Sequence, residues 1–250
     1  SPDADLKENM MIEYFKSVKN EKELRTMRRA GKVADIGAQM LYDIMEDGLT
    51  EKEAQSLVYA SMFASGAHAI AFDIMVQTGD NLLSLFKRPT DKQIARGNIV
   101  MMDHGCRIND YCSDSARTYI FGNVEKKKIE LLEKLNRVFE AGLTQICAGM
   151  TGREADAIIR AAADKEGITQ FIVSPSEGRL GPHGTGMDPE EARPIIGPDS
   201  DDVLVENQTF AYELSAIDED LVGVRTEDPI VVHKDGMEPL TNFPRISFKD

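Results

Sequence analysis

The chain has 250 residues, 42% of them hydrophobic, with a formal net charge of −14 and a pI near 4.8. That length supports one sizeable core, and the charge argues against nucleic acid and anionic membranes as partners. No apolar run approaches the ~20 residues that span a bilayer, and Ser1–Met10 lacks the apolar centre of a signal peptide. Three cysteines (Cys106, Cys112, Cys147) are an odd number without metal-type spacing, so they read as reduced thiols of a cytoplasmic protein.

Residues 1–16 read as an N-terminal extension and 17–250 as a single domain. The first helical pattern runs through Leu24, Met27, Gly31, Ala34, Ala38, Leu41 and Met45, at steps of 3 and 4. A second helix follows, opened by the capping box Thr50-x-x-Glu53 with Gly48 before it and Gly66 after it. Strands are expected at Ile99–Asp103 and at Ser113–Phe121. The pattern then recurs. Ile129, Leu132, Asn136, Phe139, Leu143 and Ile146 mark a long helix. Thr151-x-x-Glu154, flanked by Gly149 and Gly167, caps the next one at an offset of 101 residues. Strands return at Thr209–Glu213 and Gly223–Val232. The chain is therefore a duplication, with pseudo-repeats of about 20–122 and 123–236. Its fold class is α+β: two helix-helix-hairpin units around a curved antiparallel sheet. The long segment 174–202, rich in Pro, Gly and acids, is expected to be functional because it holds His183 between glycines.

The duplication puts carboxylates at matching places, Asp103 and Asp114 in one half, Glu213 and Glu227 in the other. With His183 they form a donor set dominated by oxygen, suited to a pair of divalent metals that polarise a carbonyl and acidify water. Asp103 follows the apolar run Ile99–Met102, and Glu213 lies between Tyr212 and Leu214. Both are expected to be buried, and a buried carboxylate needs a partner. Asp114 gains support from its pairing, and His183 from Gly184 and Gly186, which allow close backbone approach. Arg225 reads equally as charge balance for four acids or as a substrate contact. His104 follows Asp103 on a strand and should face away from it. Four histidines in the whole chain exclude a histidine-rich site.

The segment MMDHGCRINDYCSDSARTYIFG resembles the first metal motif of the pita-bread metallopeptidases, PHGTGMDPEE their metal-histidine motif, and AYELSAID and GVRTEDPIVV their two glutamate motifs. The resemblance runs from about Ser17 to Gly236 and is nearest to the branch of Xaa-Pro dipeptidases, aminopeptidase P and creatinase. Many members of that branch carry a further N-terminal domain, and the match begins almost where this chain does. The resemblance implies a hydrolase of short peptides. Asp103 would be a terminal ligand of one metal, Asp114 and Glu227 would bridge both, and His183 and Glu213 would hold the second. A water between the metals would attack, Glu213 would shuttle its proton, and Arg225 would orient a carboxylate. The metals would be two, manganese first, with iron, cobalt or zinc also compatible with the donors. A homodimer is the expected assembly.

The chain departs from the family pattern around the substrate. Where the family has histidines, this sequence has Phe86 after Gly79-Asp80-Asn81, Arg179 four before His183, and Glu190 seven after it. Phe has no proton to donate. Phe86 is either core packing or a pocket wall, while Arg179 and Glu190 could hold a charged group of the substrate. The expected alternative is thus a non-peptide enzyme on the same fold, a small-amide hydrolase resembling creatinase or a lyase resembling dimethylsulfoniopropionate lyase. A binding module without catalysis would be expected to lose metal ligands, and all five are present.

Overall fold

The computed structural model describes residues 11–84, 86–173 and 181–250. Three helices come first, α1 (Met11–Ser17), α2 (Glu21–Ile44) and α3 (Glu51–Ala64). The short β1 (Ala69–Ile70) and β2 (Met75–Thr78) precede a 3-10 turn, Gly79–Leu83. Next come β3 (Asn98–His104), β4 (Cys106–Ile108), β5 (Tyr111–Cys112) and β6 (Ser115–Phe121). The second half repeats the order with α4 (Lys126–Gln145), α5 (Gly152–Glu166), β7 (His183–Gly184), β8 (Thr209–Asp218) and β9 (Val222–His233). It ends in β10 (Gly236–Pro239) and β11 (Ile246–Lys249).

The main sheet has the order β2-β3-β6-β9-β8-β7, so three strands of one half meet three of the other at the β6–β9 seam. All six pair antiparallel, and the seam is registered by Ala116 opposite Glu227. β10 extends from β9, and β11 lies parallel to β6.

The expected duplication is present in detail. Thr50 and Thr151 each accept from the backbone of the Glu three residues on, and that Glu accepts in return, which closes both capping boxes. Gly48 and Gly149 both have φ near +96°, a backbone state that a side chain rarely adopts. Each donates to a carbonyl of a later loop, Ile94 at 3.0 Å and Leu204 at 2.8 Å.

Helices cover one face of the sheet, and strand alternation decides what faces them. From β3, Val100 and Met102 pack among Ala38, Leu41, Val58 and Met62 of α2 and α3. From β8 and β9, Phe210, Tyr212, Leu214, Val224 and Ile230 pack against Leu132, Leu135, Phe139 and Ile159 of α4 and α5. The approach is close. A Cβ on Gly142 would sit 1.8 Å from the Tyr212 hydroxyl, so only glycine lets α4 lie this near β8.

The buried face of α4 differs from the expected stripe. Leu131, Leu135, Val138 and Gly142 are buried, whereas Ile129 and Asn136 are half-buried. α4 packs on both β9 and α5, which widens its apolar face. The helix α1 also starts inside the segment read as an extension. No helix among the described residues is long and apolar enough to cross a membrane.

The helix side of the seam carries a buried charge network. Arg117 Nη2 donates to Asp228 Oδ1 at 2.7 Å, and Arg245 Nη1 donates to Asp228 Oδ2 at 2.7 Å. Thr241 Oγ1 adds a third bond to Asp228 at 2.6 Å. Arg117 Nη1 donates to the carbonyls of Ala116 and Glu227, tying the network to the seam.

Candidate metal centre

The carboxylates reach one pocket because each lies on the open face while its strand neighbours point into the helices. Glu213 on β8 is registered opposite Glu227 on β9, and Ser215 opposite Arg225. Asp103 lies between Met75 of β2 and Ala116 of β6, and Asp114 immediately precedes β6. The short strand β7 puts His183 beside Ala211. A cavity of about 240 Å³ holds all five candidate ligands together with Arg225, Phe86, Glu190, Phe72, Met75, Arg88 and Asp73. It is somewhat smaller than most ligand cavities, which run from about 300 to 1,000 Å³.

Asp103, Asp114, Glu213 and Glu227 are all at most 6% exposed, and Arg225 is 2% exposed. His183 Nε2 lies 3.7 Å from Glu227 Oε1, 3.9 Å from Asp114 Oδ2 and 4.0 Å from Glu213 Oε2. One donor atom each from Asp114, His183 and Glu227 lies within 4.8 Å of the others. Asp103 and Glu213 lean toward Arg225 instead. Arg225 bonds Asp103 through Nη1, and its Nε lies 3.2 Å from Glu213 Oε1. Ser215 Oγ, which accepts from Arg225 Nε at 3.0 Å, donates to Glu213 Oε1 at 3.1 Å.

This donor set fits divalent cations. Among the described residues, Asp103 Oδ1 and Glu227 Oε2 are buried with no hydrogen-bond partner. Among the described residues, four buried carboxylates face one buried guanidinium, Arg225, and one imidazole, with Arg88 exposed at the rim and paired with Asp73, an imbalance that a low-dielectric site does not sustain without cations or protons. Protons are the alternative, and the acids show it. Burial pushes Asp103 up to about 6, with Glu213 adding to the rise and Arg225 opposing it. Burial raises Asp114 and Glu227 well above the usual carboxylate range, and their carboxylate neighbours raise them further. Burial works against the Arg225 charge, but Glu213, Asp103, Glu227 and Asp114 together hold its pKa above the ordinary value.

A prediction follows from the sign of these shifts. An unfolded Asp titrates near 3.9, so between about pH 4 and pH 6 the folded metal-free protein binds more protons than the unfolded chain. Its stability therefore falls as pH rises through that window. A divalent cation competes with those protons and binds best once they have left. Melting with and without Mn²⁺ is expected to show a metal-induced rise in Tm that grows from about pH 5 to about pH 7. A pH-independent rise would place the ion elsewhere.

The substrate side is only partly as expected. Phe86 is 59% exposed and lies over the Arg225 guanidinium, 5.5 Å from Cζ to ring centroid, so it is a pocket wall and not core. Glu190 is exposed and lines the cavity. Arg179 lies outside the described residues. His104 faces away from the site, buried, with Nε2 3.0 Å from the Ala34 carbonyl. Cys106 and Cys112 are free and buried, and burial pushes the Cys106 thiol up to about 11.

Sequence reasoning missed what holds Phe86. Gln77 Nε2 donates to the carbonyls of Ser84 and Lys87 at 3.1 and 2.8 Å, clamping the turn that carries the ring. The fully buried Glu51 accepts from Thr78 N, Asn81 Nδ2, Thr90 N and Thr90 Oγ1, which closes the loop at its base. The Gly79-Asp80-Asn81 motif pointed to that loop, but nothing local pointed to Glu51, 30 residues before Asn81. Arg88 and Asp73, an exposed ion pair on the pocket rim, were also missed.

Comparisons with known proteins give the family and the fold. The model of metallopeptidase family M24 matches residues 25–234. An Xaa-Pro dipeptidase of Lactobacillus delbrueckii subsp. lactis is 31% identical over 244 residues, 96% of this chain and 65% of that protein. Among solved structures, an Xaa-Pro dipeptidase from Bacillus anthracis superposes with a TM-score of 0.90 at 28% identity, over 96% of this chain and 66% of that one. An X-Pro aminopeptidase from Thermotoga maritima MSB8 gives 0.88 at 28% identity, over 96% and 65%. The chain thus spans about two thirds of the length of these relatives.

Proposed function

The chain belongs to metallopeptidase family M24, and from that premise we propose that it is a dinuclear metal-dependent hydrolase of short peptides, with Xaa-Pro peptides as the first substrate class. The observation that carries the reading is the convergence of Asp103, Asp114, His183, Glu213 and Glu227 on one small cavity, with two buried carboxylate oxygens that have no partner among the described residues. Similarity to Xaa-Pro dipeptidases and aminopeptidases supports the substrate class. Asp114, Glu227 and His183 would share one ion, and Asp103 and Glu213 would complete the pair. When bound, two divalent ions supply Lewis acidity and bring water into its useful pKa range near neutrality.

The protein's own groups do the rest. Glu213 Oε1 is held by Ser215 and Arg225, while Oε2 faces His183. That fixed carboxylate is placed to take a proton from the attacking water and pass it on. Arg225 keeps Asp103 and Glu213 oriented from behind. Phe72, Met75 and Phe86 give the cavity an apolar wall on the substrate side. Glu190 is the acidic group available at the substrate side.

Phe86 favours a second reading, a non-peptide substrate, because a ring replaces a proton donor over Arg225. Elemental analysis of protein purified without chelator, beside a panel of Xaa-Pro peptides, separates the two. About two ions per chain with cleavage supports the peptidase. The same ions without cleavage moves the substrate elsewhere, unless Phe86→His restores cleavage. No ion after reconstitution removes the metal reading altogether.

A further inference from the structure

Behind the loop that follows His183, outside the lining of the cavity, lies a buried ion pair. Lys19 Nζ is 2.8 Å from Glu191 Oε2, and both side chains are 1% exposed. The two residues are 172 positions apart. Lys19 is fixed where it stands: its backbone N–H donates to the Asn207 carbonyl at 2.9 Å, just before β8, and Nζ also donates to the Ser17 carbonyl at 3.3 Å.

Glu191 closes a tight turn. Its N–H donates to the Gly184 carbonyl at 2.7 Å, and its Oε1 accepts from Met187 N at 2.9 Å. The turn wraps the pair so closely that a Cβ on Gly186 would lie 2.6 Å from Lys19 Nζ and 2.7 Å from Glu191 Oε1. The start of this turn adjoins His183 and its end adjoins Glu190, both of which line the cavity. The Gly186 carbonyl accepts from Cys112 N at 2.7 Å, which bonds the tip of the turn to the residue two before Asp114.

We propose that the Lys19–Glu191 ion pair is a positioning element of the metal centre, setting the turn that presents His183 and Glu190 to the cavity. The proposal rests on the metal reading above. A burial this complete is costly for a lysine and a glutamate, and such a pair is a poor source of stability compared with apolar residues of similar shape. Its place between the start of α2 and the histidine loop gives it a positional task, as outer partners of metal ligands commonly have.

The double variant Lys19→Met/Glu191→Leu tests this, because apolar replacement of a buried pair is often neutral for folding. Calorimetric titration with Mn²⁺ is read beside the Tm of the metal-free protein. The expected result is a Tm near that of the parent with Mn²⁺ affinity weakened about 10- to 100-fold. Gly186→Ala is the second variant. It presses on the pair from the turn and is expected to weaken Mn²⁺ binding in the same direction, so it decides the matter if the double variant does not fold. Mn²⁺ binding in the folded variants as tight as in the parent, whatever their Tm, makes the pair merely structural and overturns the proposal. A parent that takes up no Mn²⁺ overturns the metal reading and this proposal together.

Discussion

Replacing Glu227 by Gln is expected to stabilise the metal-free protein and to abolish its activity. Glu227 is 1% exposed, stands opposite Glu213 across the β8–β9 pair, and has one oxygen without a partner. Burial, then Asp114, Asp103 and Glu213, push its carboxyl well above the ordinary range. An unfolded Glu titrates near 4.3. Above about that pH the folded chain must hold a proton that the unfolded chain has lost, or else bear a buried charge, and the cost grows with pH. Gln keeps the shape and removes that cost. The gain in Tm should therefore be slight near pH 4 and reach a few degrees near pH 7, since about 1 kcal/mol moves a chain of this size by roughly 2–4 °C. Mn²⁺ affinity should fall at least about a hundredfold, more than partners outside the ligand set usually cost, and turnover should fall with it. A variant that melts lower while retaining activity would remove Glu227 from the centre. A site that opposes folding in this way is what a functional cluster of like charges predicts.

Asp103 and Glu213 were legible as candidate ligands because strand alternation is a local rule, whereas Asp114 rested on its pairing and His183 on its glycine neighbours. An acid flanked by buried apolar neighbours, as Glu213 is by Tyr212 and Leu214, must face the other side of its strand. The duplication was legible for the same reason, since a capping box is written within four residues. What stayed hidden depends on distant segments. Phe86 reads equally as core or wall until Gln77 and Glu51 are seen fixing its loop. Lys19 looks like one more surface lysine until Glu191 closes over it. The face of α4 is wider than its apolar stripe, which holds at Leu132, Phe139, Leu143 and Ile146, because one stripe does not reveal two packing partners.

Asp228, the next residue after Glu227, is expected to behave in the opposite way. Its side chain points to the helix face, where it accepts from Arg117, Arg245 and Thr241. Asp228→Ala leaves two guanidinium groups without their shared anion, one of them on a side chain only 1% exposed. Removing one partner of a buried pair typically costs about 3–5 kcal/mol, which for this chain length is a Tm loss of roughly 6–20 °C. Below that Tm the site should survive, because Arg117 still donates to the carbonyls of Ala116 and Glu227 and holds the seam. Thermal melting and Mn²⁺ titration on the same preparation test both halves of the prediction. A small loss of Tm would mean that Arg245, which also bonds Glu140 and Asn136, compensates for the missing anion. A loss of Mn²⁺ affinity in the folded variant would mean that the network steers Glu227 through the strand. The expected contrast, stability lost with function kept at Asp228 and the reverse at Glu227, follows from one backbone step. Alternation sends the first carboxylate into a neutralised network and its neighbour into an excess of negative charge that folding alone does not resolve.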